Sequence, residues 1–231
     1  MTHRQPKLLL FDIDGTLILS GGAGGAALNR ACEEILGVQN AMAAVNPGGM
    51  TDGAIVRRII TTVLGRPPED GEIECILRRY LEHLPRSLDG STRFRLLPGF
   101  PRLLDALGER PDIVLGLGTG NLAEGARIKL EFAGLFHYFR FGGFGSDAED
   151  RAELLRRGIE RGKALSPQPV APEHIFVIGD TPHDVESGRR AGARTVAVAT
   201  GSTSRQELAR HQPDYLFDSF ADAKPFMELM A

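Results

Sequence analysis

Lysine is scarce in this sequence. Lys7, Lys129, Lys163 and Lys224 are the only four, and every other basic residue is an arginine. Chemistry that needs an amine therefore has few candidates, and none between Lys7 and Lys129. Cysteine is sparser still. Cys32 and Cys75 cannot build a disulfide framework, and both fall in segments of helical pattern, so a reducing, cytoplasmic setting is expected. No apolar run approaches a membrane span, and the one within residues 1–11 is too short for a signal peptide. Excess charge of one sign is also missing. A net charge of -3 gives no bulk attraction to nucleic acid or to an anionic membrane, so any phosphate must be held by a local site. What is present is an ordinary globular balance: 231 residues, 42% hydrophobic and 25% charged, enough for a sizeable core without staples.

Short apolar runs alternate with helical patterns. Residues 7–12, 112–117, 137–141, 174–179, 194–199 and 214–217 read as strands, and 101–110, 122–134, 151–161, 182–191 and 204–211 as helices. Runs such as LLLF, IVLGL and IFVIG are apolar at consecutive positions, as strands covered on both faces are. The alternation predicts an α/β fold: a Rossmann-like open parallel sheet with helices on both faces. Residues 20–92 break the rhythm. They show no strand, but helical patterns over 23–36, 52–64 and 69–84, with Ile55, Val56, Ile59, Ile60 and Val63 forming an apolar stripe. A helical insert is therefore expected over 20–95, with the α/β unit made of 1–19 and 96–231. The glycine-rich run 21–25 and the stretch 90–95 are expected as linkers. Lacking a Gly-Lys-Ser/Thr ending and lying past the end of strand one, the run 21–25 reads as a hinge rather than a nucleotide loop.

Three strings carry chemistry. The first, Phe11-Asp12-Ile13-Asp14-Gly15-Thr16, ends the first strand. Residues two apart on a strand project to one face, so Asp12 and Asp14 should share the crevice at the carboxyl end of the sheet. Carboxylates that close repel when both are ionised, which invites a cation or a shared proton. The second, Gly179-Asp180-Thr181-Pro182-His183-Asp184, also follows an apolar strand and runs into a helix start. The two acidic clusters together offer the hard oxygen ligands that Mg²⁺ prefers, although Asp180 and Asp184 could also serve only as helix caps. The third, Leu117-Gly118-Thr119-Gly120-Asn121, puts a hydroxyl and backbone N–H groups at a helix N-terminus, where a phosphoryl oxygen or a plain N-cap would both fit.

These strings, in this order, resemble the motifs of the haloacid dehalogenase superfamily, and the likeness spans nearly the whole chain. Asp12 to Thr16 matches Asp-x-Asp-Gly-Thr, Thr119 the strand-ending hydroxyl, and Gly179, Asp180 and Asp184 the pattern Gly-Asp-x-x-x-Asp. The resemblance implies a central sheet in the order 3-2-1-4-5 and a helical cap after the first motif. It implies a Mg²⁺-dependent phosphatase, similar to phosphoglycolate phosphatases, acting on a small phosphate ester, as monomer or homodimer. Asp12 would be the nucleophile and Asp14 the general acid and base. Asp12, Asp14 (through its carbonyl), Asp180 and Asp184 would serve the metal. Ile13, Asp14, Thr119, Gly120 and a cation would hold the phosphoryl oxygens. Where many relatives place Lys-Pro as that cation, this sequence has Ser146-Asp147-Ala148-Glu149-Asp150-Arg151. Arg151 is assigned the role. Lys163, about three turns further along the same helix, is the competitor, and Lys129 is expected on a helix surface.

Gly49, Thr51 and Asn121 are candidate substrate contacts. Thr51 also reads as the N-cap of the helix that follows. Arg57, Arg58, Arg78, Arg79 and His83 could meet an anionic substrate or simply face solvent. A phosphotransferase of the β-phosphoglucomutase type is the first rival reading, and a non-catalytic phosphate-binding protein on the same fold is the rival of another class. Haloacid dehalogenation fits poorly because that branch lacks the second aspartate of the first motif. Phosphonoacetaldehyde hydrolysis requires a cap lysine that is absent here.

Overall fold

The computed structural model describes residues 5–166 and 168–231. In chain order the elements are β1 (Lys7–Phe11), β2 (Ile18–Leu19), α1 (Ala23–Leu36), α2 (Asp52–Val63), α3 (Glu72–Asp89), β3 (Arg95–Leu96), α4 (Arg102–Gly108), β4 (Ile113–Thr119), α5 (Ala123–Phe132), β5 (Phe141–Phe144), α6 (Arg151–Leu165), β6 (Ile175–Gly179), α7 (Pro182–Arg190), β7 (Arg194–Val198), α8 (Arg205–Arg210), β8 (Tyr215–Phe217) and α9 (Lys224–Leu229). Six strands form one parallel sheet in the order β5-β4-β1-β6-β7-β8. Its first five members follow the expected 3-2-1-4-5 order, and β8 adds a sixth at the edge.

The two-residue period of a strand sorts the core into layers. Leu9 and Phe11 of β1, Leu115 and Leu117 of β4, and Phe176 and Ile178 of β6 pack on one face, against Leu103 and Leu107 of α4, Leu130 of α5 and Phe226 of α9. Their neighbours Leu8, Leu10, Val114, Ile175 and Val177 pack on the other, against Leu154, Leu155 and Ile159 of α6. Every residue of β1 is buried, which is why its pattern runs apolar without alternation. The helices α1, α2 and α3 bury a core of their own, in which Ile59, Ile60, Ile76 and Leu84 are fully covered.

Several expectations are corrected. The strand read over 137–141 lies later, at β5, and Phe136–Tyr138 is a 3₁₀ turn. The sequence Phe141-Gly142-Gly143-Phe144 hides a strand because its centre has no side chains to pattern. The glycines are there for closeness: a Cβ on Gly143 would lie 1.9 Å from the Leu154 carbonyl oxygen of α6. Helix α3 starts at Glu72, after Gly71, and runs through Pro85 to Asp89 instead of stopping before the proline. Leu84 and Leu88, both buried on the same stripe, hold the extra turn despite the lost hydrogen bond. The antiparallel pair β2–β3 and the final helix α9 were not foreseen. Two-residue strands leave no periodicity to read. Gly24 and Gly25, expected in a hinge, lie inside the first turn of α1; only Gly21 and Gly22 take positive φ.

Leu10 is fully buried between the central strands and α6. Leu10→Ala is expected to cost about 2–5 kcal/mol, read as a lower urea midpoint with an unchanged slope.

Candidate active site

Parallel strands all end on the same edge of the sheet, so residues distant in sequence meet there. Asp12 follows β1, Thr119 closes β4 and Asp180 follows β6. The Asp12 backbone N–H donates to the Ile178 carbonyl at 2.8 Å, which ties the first acidic string to the second. A carboxylate oxygen from each of Asp12, Asp180 and Asp184 lies within 4.8 Å of the others, and all three residues are buried. Gly15 makes the closeness possible. At φ +87° it turns the chain away from β1, and a Cβ there would sit 2.4 Å from an Asp180 carboxylate oxygen. Thr16 donates its hydroxyl to Asp180 Oδ1 at 3.2 Å.

Arg151, first residue of α6, answers this charge. Its Nη2 lies 2.5 Å from Asp184 Oδ1 and 3.2 Å from Asp12 Oδ1, and it donates to the Gly118 carbonyl at 3.3 Å. Its Nε is buried without a partner among the described residues, so a donor remains for another oxygen. Asp184 Oδ2 accepts from the Thr181 N–H at 2.9 Å and the Thr181 hydroxyl at 2.6 Å, closing a capping box on α7. Both oxygens of Asp184 are thus engaged, one of them in orienting Arg151. Lys163 is exposed on α6.

One guanidinium does not balance three buried carboxylates. Burial, opposed by Arg151, pushes the Asp12 carboxyl up to about 6. Burial, then the charges of Asp184 and Asp12, push Asp180 up to about 8. A hard, oxygen-only donor set that repels itself fits a divalent cation of the Mg²⁺ type.

The Asp14 carboxylate turns aside from this trio. Its Oδ2 accepts from Lys129 Nζ at 2.5 Å and from Asn121 Nδ2 at 3.0 Å. Burial raises its proton affinity, but the Lys129 ammonium beside it wins, and the carboxyl stands below its ordinary value. Lys129 is buried, not on a helix surface as expected, and also donates to Asn121 Oδ1 at 2.7 Å. The signal was present: Lys129 shares the inner face of α5 with Ala126 and Leu130, a position where a solvated lysine does not belong. Asn121 donates in turn to the Thr119 hydroxyl oxygen at 2.8 Å, which leaves the Thr119 O–H proton for a further acceptor. The Ile13 N–H is taken by the Asp12 carboxylate.

The segment 48–52 lies directly over these loops. A Cβ on Gly120 would meet the Met50 carbonyl oxygen at 2.2 Å, and one on Gly49 would meet His183 Cβ at 2.5 Å. Asp52, another residue missed in the sequence, donates its N–H to the Gly120 carbonyl at 2.9 Å and accepts from the Leu122 N–H at 2.8 Å. Thr51 caps α2 through the Ala54 N–H at 3.3 Å and is buried. Beneath this strap lies a cavity of about 450 Å³, walled by Asp12, Asp14, Thr119, Asn121, Lys129, Arg151 and Asp180 on one side and by α1, α2 and α3 on the other. The arginines proposed as anion contacts face elsewhere: Arg57 pairs with Glu149, and Arg79 with Glu34 and Glu82. His83 also pairs with Glu34.

Residues 151–223 match the HAD-hydrolase-like family profile. The chain is 25% identical to the phosphoglycolate phosphatase of Salmonella paratyphi A over 95% of its length and 91% of that protein. It is 27% identical to the pyrophosphatase PpaX of Oceanobacillus iheyensis over 94% of each. The crystal structure of a predicted phosphoglycolate phosphatase from Haemophilus somnus 129pt superposes with a TM-score of 0.72 and 20% identity, covering 97% of this chain and 99% of that one. No helix among the described residues is long and apolar enough to cross a membrane.

The carboxyls of Asp12 and Asp180 stand above the ordinary 3.8, so the native protein without metal holds protons that the unfolded chain has released. Their stabilising contribution is complete below about pH 4 and is lost as pH rises through about 6 and then about 8. Metal-free protein is expected to melt lower at about pH 8.5 than at about pH 5.5, and Mg²⁺ to recover the difference. Asp180→Asn should raise the metal-free melting temperature at the higher pH by about 2–4 °C, flatten the pH dependence and abolish the Mg²⁺ shift. Differential scanning calorimetry of both proteins checks all three.

Proposed function

We propose that this chain, HAD-like in sequence and in fold, is a Mg²⁺-dependent phosphatase that passes a phosphoryl group from a small phosphate ester to Asp12 and then to water. One observation carries the reading: Asp12, at the tip of the central strand, faces the cavity with Arg151 at 3.2 Å and two further buried carboxylates beside it. That combines a nucleophile, a cation for phosphoryl oxygens and a hard-metal donor set within one enclosed space. Residues 1–19 and 96–231 would act as the catalytic core, and 20–95 as the cap that encloses the substrate.

Asp12 attacks phosphorus in line, forming its bond as the ester oxygen leaves, and the acyl-phosphate splits one hard step into two easier ones. Asp14 gives the leaving oxygen a proton. Ionised in the resting site, it takes up that proton from solvent as a dianionic ester arrives beside it and raises its proton affinity. In the second half it takes a proton from the attacking water, the role its lowered pKa suits, while Lys129 and Asn121 fix its direction. Arg151, the Thr119 hydroxyl and backbone N–H groups near Asp14 and Gly120 hold the equatorial oxygens. Asp12 and Asp180, with the Asp14 carbonyl, would hold Mg²⁺, and Asp184 would act through Arg151 or a metal-bound water. The ion would neutralise charge on the phosphoryl group. Gly49 lets the strap pack against His183, and Thr51 caps the helix that follows it. The site is built within a single chain, which serves a monomer or a homodimer equally, and the free thiols Cys32 and Cys75 suit a cytoplasmic enzyme.

In a phosphate-release assay with an aryl phosphate and Mg²⁺, Asp12→Asn should reduce turnover to the no-enzyme background. Arg151→Ala should lose about 10²–10³-fold in kcat, and Lys163→Ala should leave it unchanged. Near-normal rates in Asp12→Asn would refute the nucleophile, and a larger loss at Lys163 than at Arg151 would reverse the choice of cation. Isomer conversion without phosphate release would identify a mutase. Binding of phosphate esters by the wild type with no turnover of any would identify a binding protein.

A further inference from the structure

The cap side of the cavity is lined largely by apolar side chains and, among the described residues, by no cationic one; Ser20 and Asn46 are its neutral polar side chains. Leu28, Met42, Met50, Ile55, Leu77 and Tyr80 line it, and the one ionisable carboxyl that the segment 20–95 adds is that of Asp52. Within the whole cavity wall the positive side chains are Arg151 and Lys129. Arg151 is matched by Asp12 and Asp184. Lys129 bonds Asp14 at 2.5 Å and feels Asp52 as well, so it too is already neutralised. The phosphoryl group would draw on Arg151 and on a metal at the trio. The donors that remain, among them Ser20, Asn46 and the glycine backbone, are neutral, so a second negative charge would find no free counter-ion and would face Asp14 and Asp52. Burying an unpaired charge is costly, and a like-charged neighbour adds to the cost.

Resting on the phosphatase reading, we infer that the cap cavity selects phosphate monoesters of an uncharged, largely apolar alcohol and rejects esters that carry a second anionic group, whether carboxylate or phosphate. At about 450 Å³ the space is within the range that takes a small organic molecule. Tyr80, buried and with its hydroxyl near Gly24 and Gly125, closes the far wall with an aromatic ring. Its phenol is held protonated by burial and by the nearby Asp52 and Asp14, so it adds no charge.

The test compares kcat/KM of the Mg²⁺-loaded protein for benzyl phosphate, phosphoglycolate and pyrophosphate. Benzyl phosphate is expected to exceed each of the other two by at least about 10-fold. Equal or better turnover of phosphoglycolate or pyrophosphate overturns the inference. Met42→Lys, which sets a cation on the apolar wall, should raise phosphoglycolate turnover and lower that of benzyl phosphate; a well-folded variant with an unchanged ratio also overturns it. Binding of the non-hydrolysable benzylphosphonate and phosphonoacetate, measured by calorimetry with Mg²⁺ present, separates this inference from the catalytic one. If no ester is turned over, the phosphatase reading fails while tighter binding of benzylphosphonate, by about 10-fold, still supports the selectivity. Equal or tighter binding of phosphonoacetate overturns it.

Discussion

Like charges held close in a poorly solvated space are the constraint around which this molecule is arranged. Asp12, Asp180 and Asp184 are each buried, and each stands within reach of the others. No chain would gather them for stability, because desolvation and mutual repulsion both oppose it. The surroundings offset that cost as far as polypeptide can. Arg151 bridges Asp12 and Asp184, Thr16 donates to Asp180, and Thr181 donates twice to Asp184. What remains uncompensated is stored proton affinity, visible in the raised carboxyls of Asp12 and Asp180. A donor set in that state is one that a divalent cation could hold.

The second cluster solves a different problem. Asp14 is two residues from Asp12, yet it stands in a separate electrostatic neighbourhood, because Lys129 and Asn121 draw its carboxylate aside. Two aspartates on one short strand end therefore have opposite shifts: one raised by burial, the other lowered by an ammonium. Environments that push paired carboxyls apart give neighbouring groups different protonation states at one pH. Asp52, on the strap, feels the same Lys129, but burial outweighs that attraction and pushes its carboxyl up to about 6; the strap is tied to the sheet's loops by the bonds of Asp52 to Gly120 and Leu122. Glycines at the points of contact, Gly49 and Gly120, allow that approach.

Much of this was legible beforehand. Apolar strands followed by Asp12, Thr119 and Asp180 announce a parallel sheet whose ends converge, and β1 shows why consecutive leucines imply cover on both faces. Arg151 was readable from its place at a helix start just after the expected strand. Its true partners were not, because Asp184 is 33 residues away. Lys129 was misjudged for a related reason. A lone lysine on a helix usually faces water, and only the juxtaposition of Asp14, 115 residues earlier, makes its burial tolerable. The strand Phe141–Phe144 is hard to read because two of its residues are glycine, so the apolar pattern falls on the 3₁₀ turn just before it.

By itself the sequence determined the layers, the helical insert and the acidic strings, since period, burial and turn chemistry are local properties carried by adjacent residues. Tertiary structure alone decided which charges pair, which cation serves which carboxylate and what kind of wall α1, α2 and α3 present to the cavity. Those depend on distances of a few ångströms between segments far apart in the chain. Coulomb and desolvation terms change most steeply there, and no local pattern encodes them.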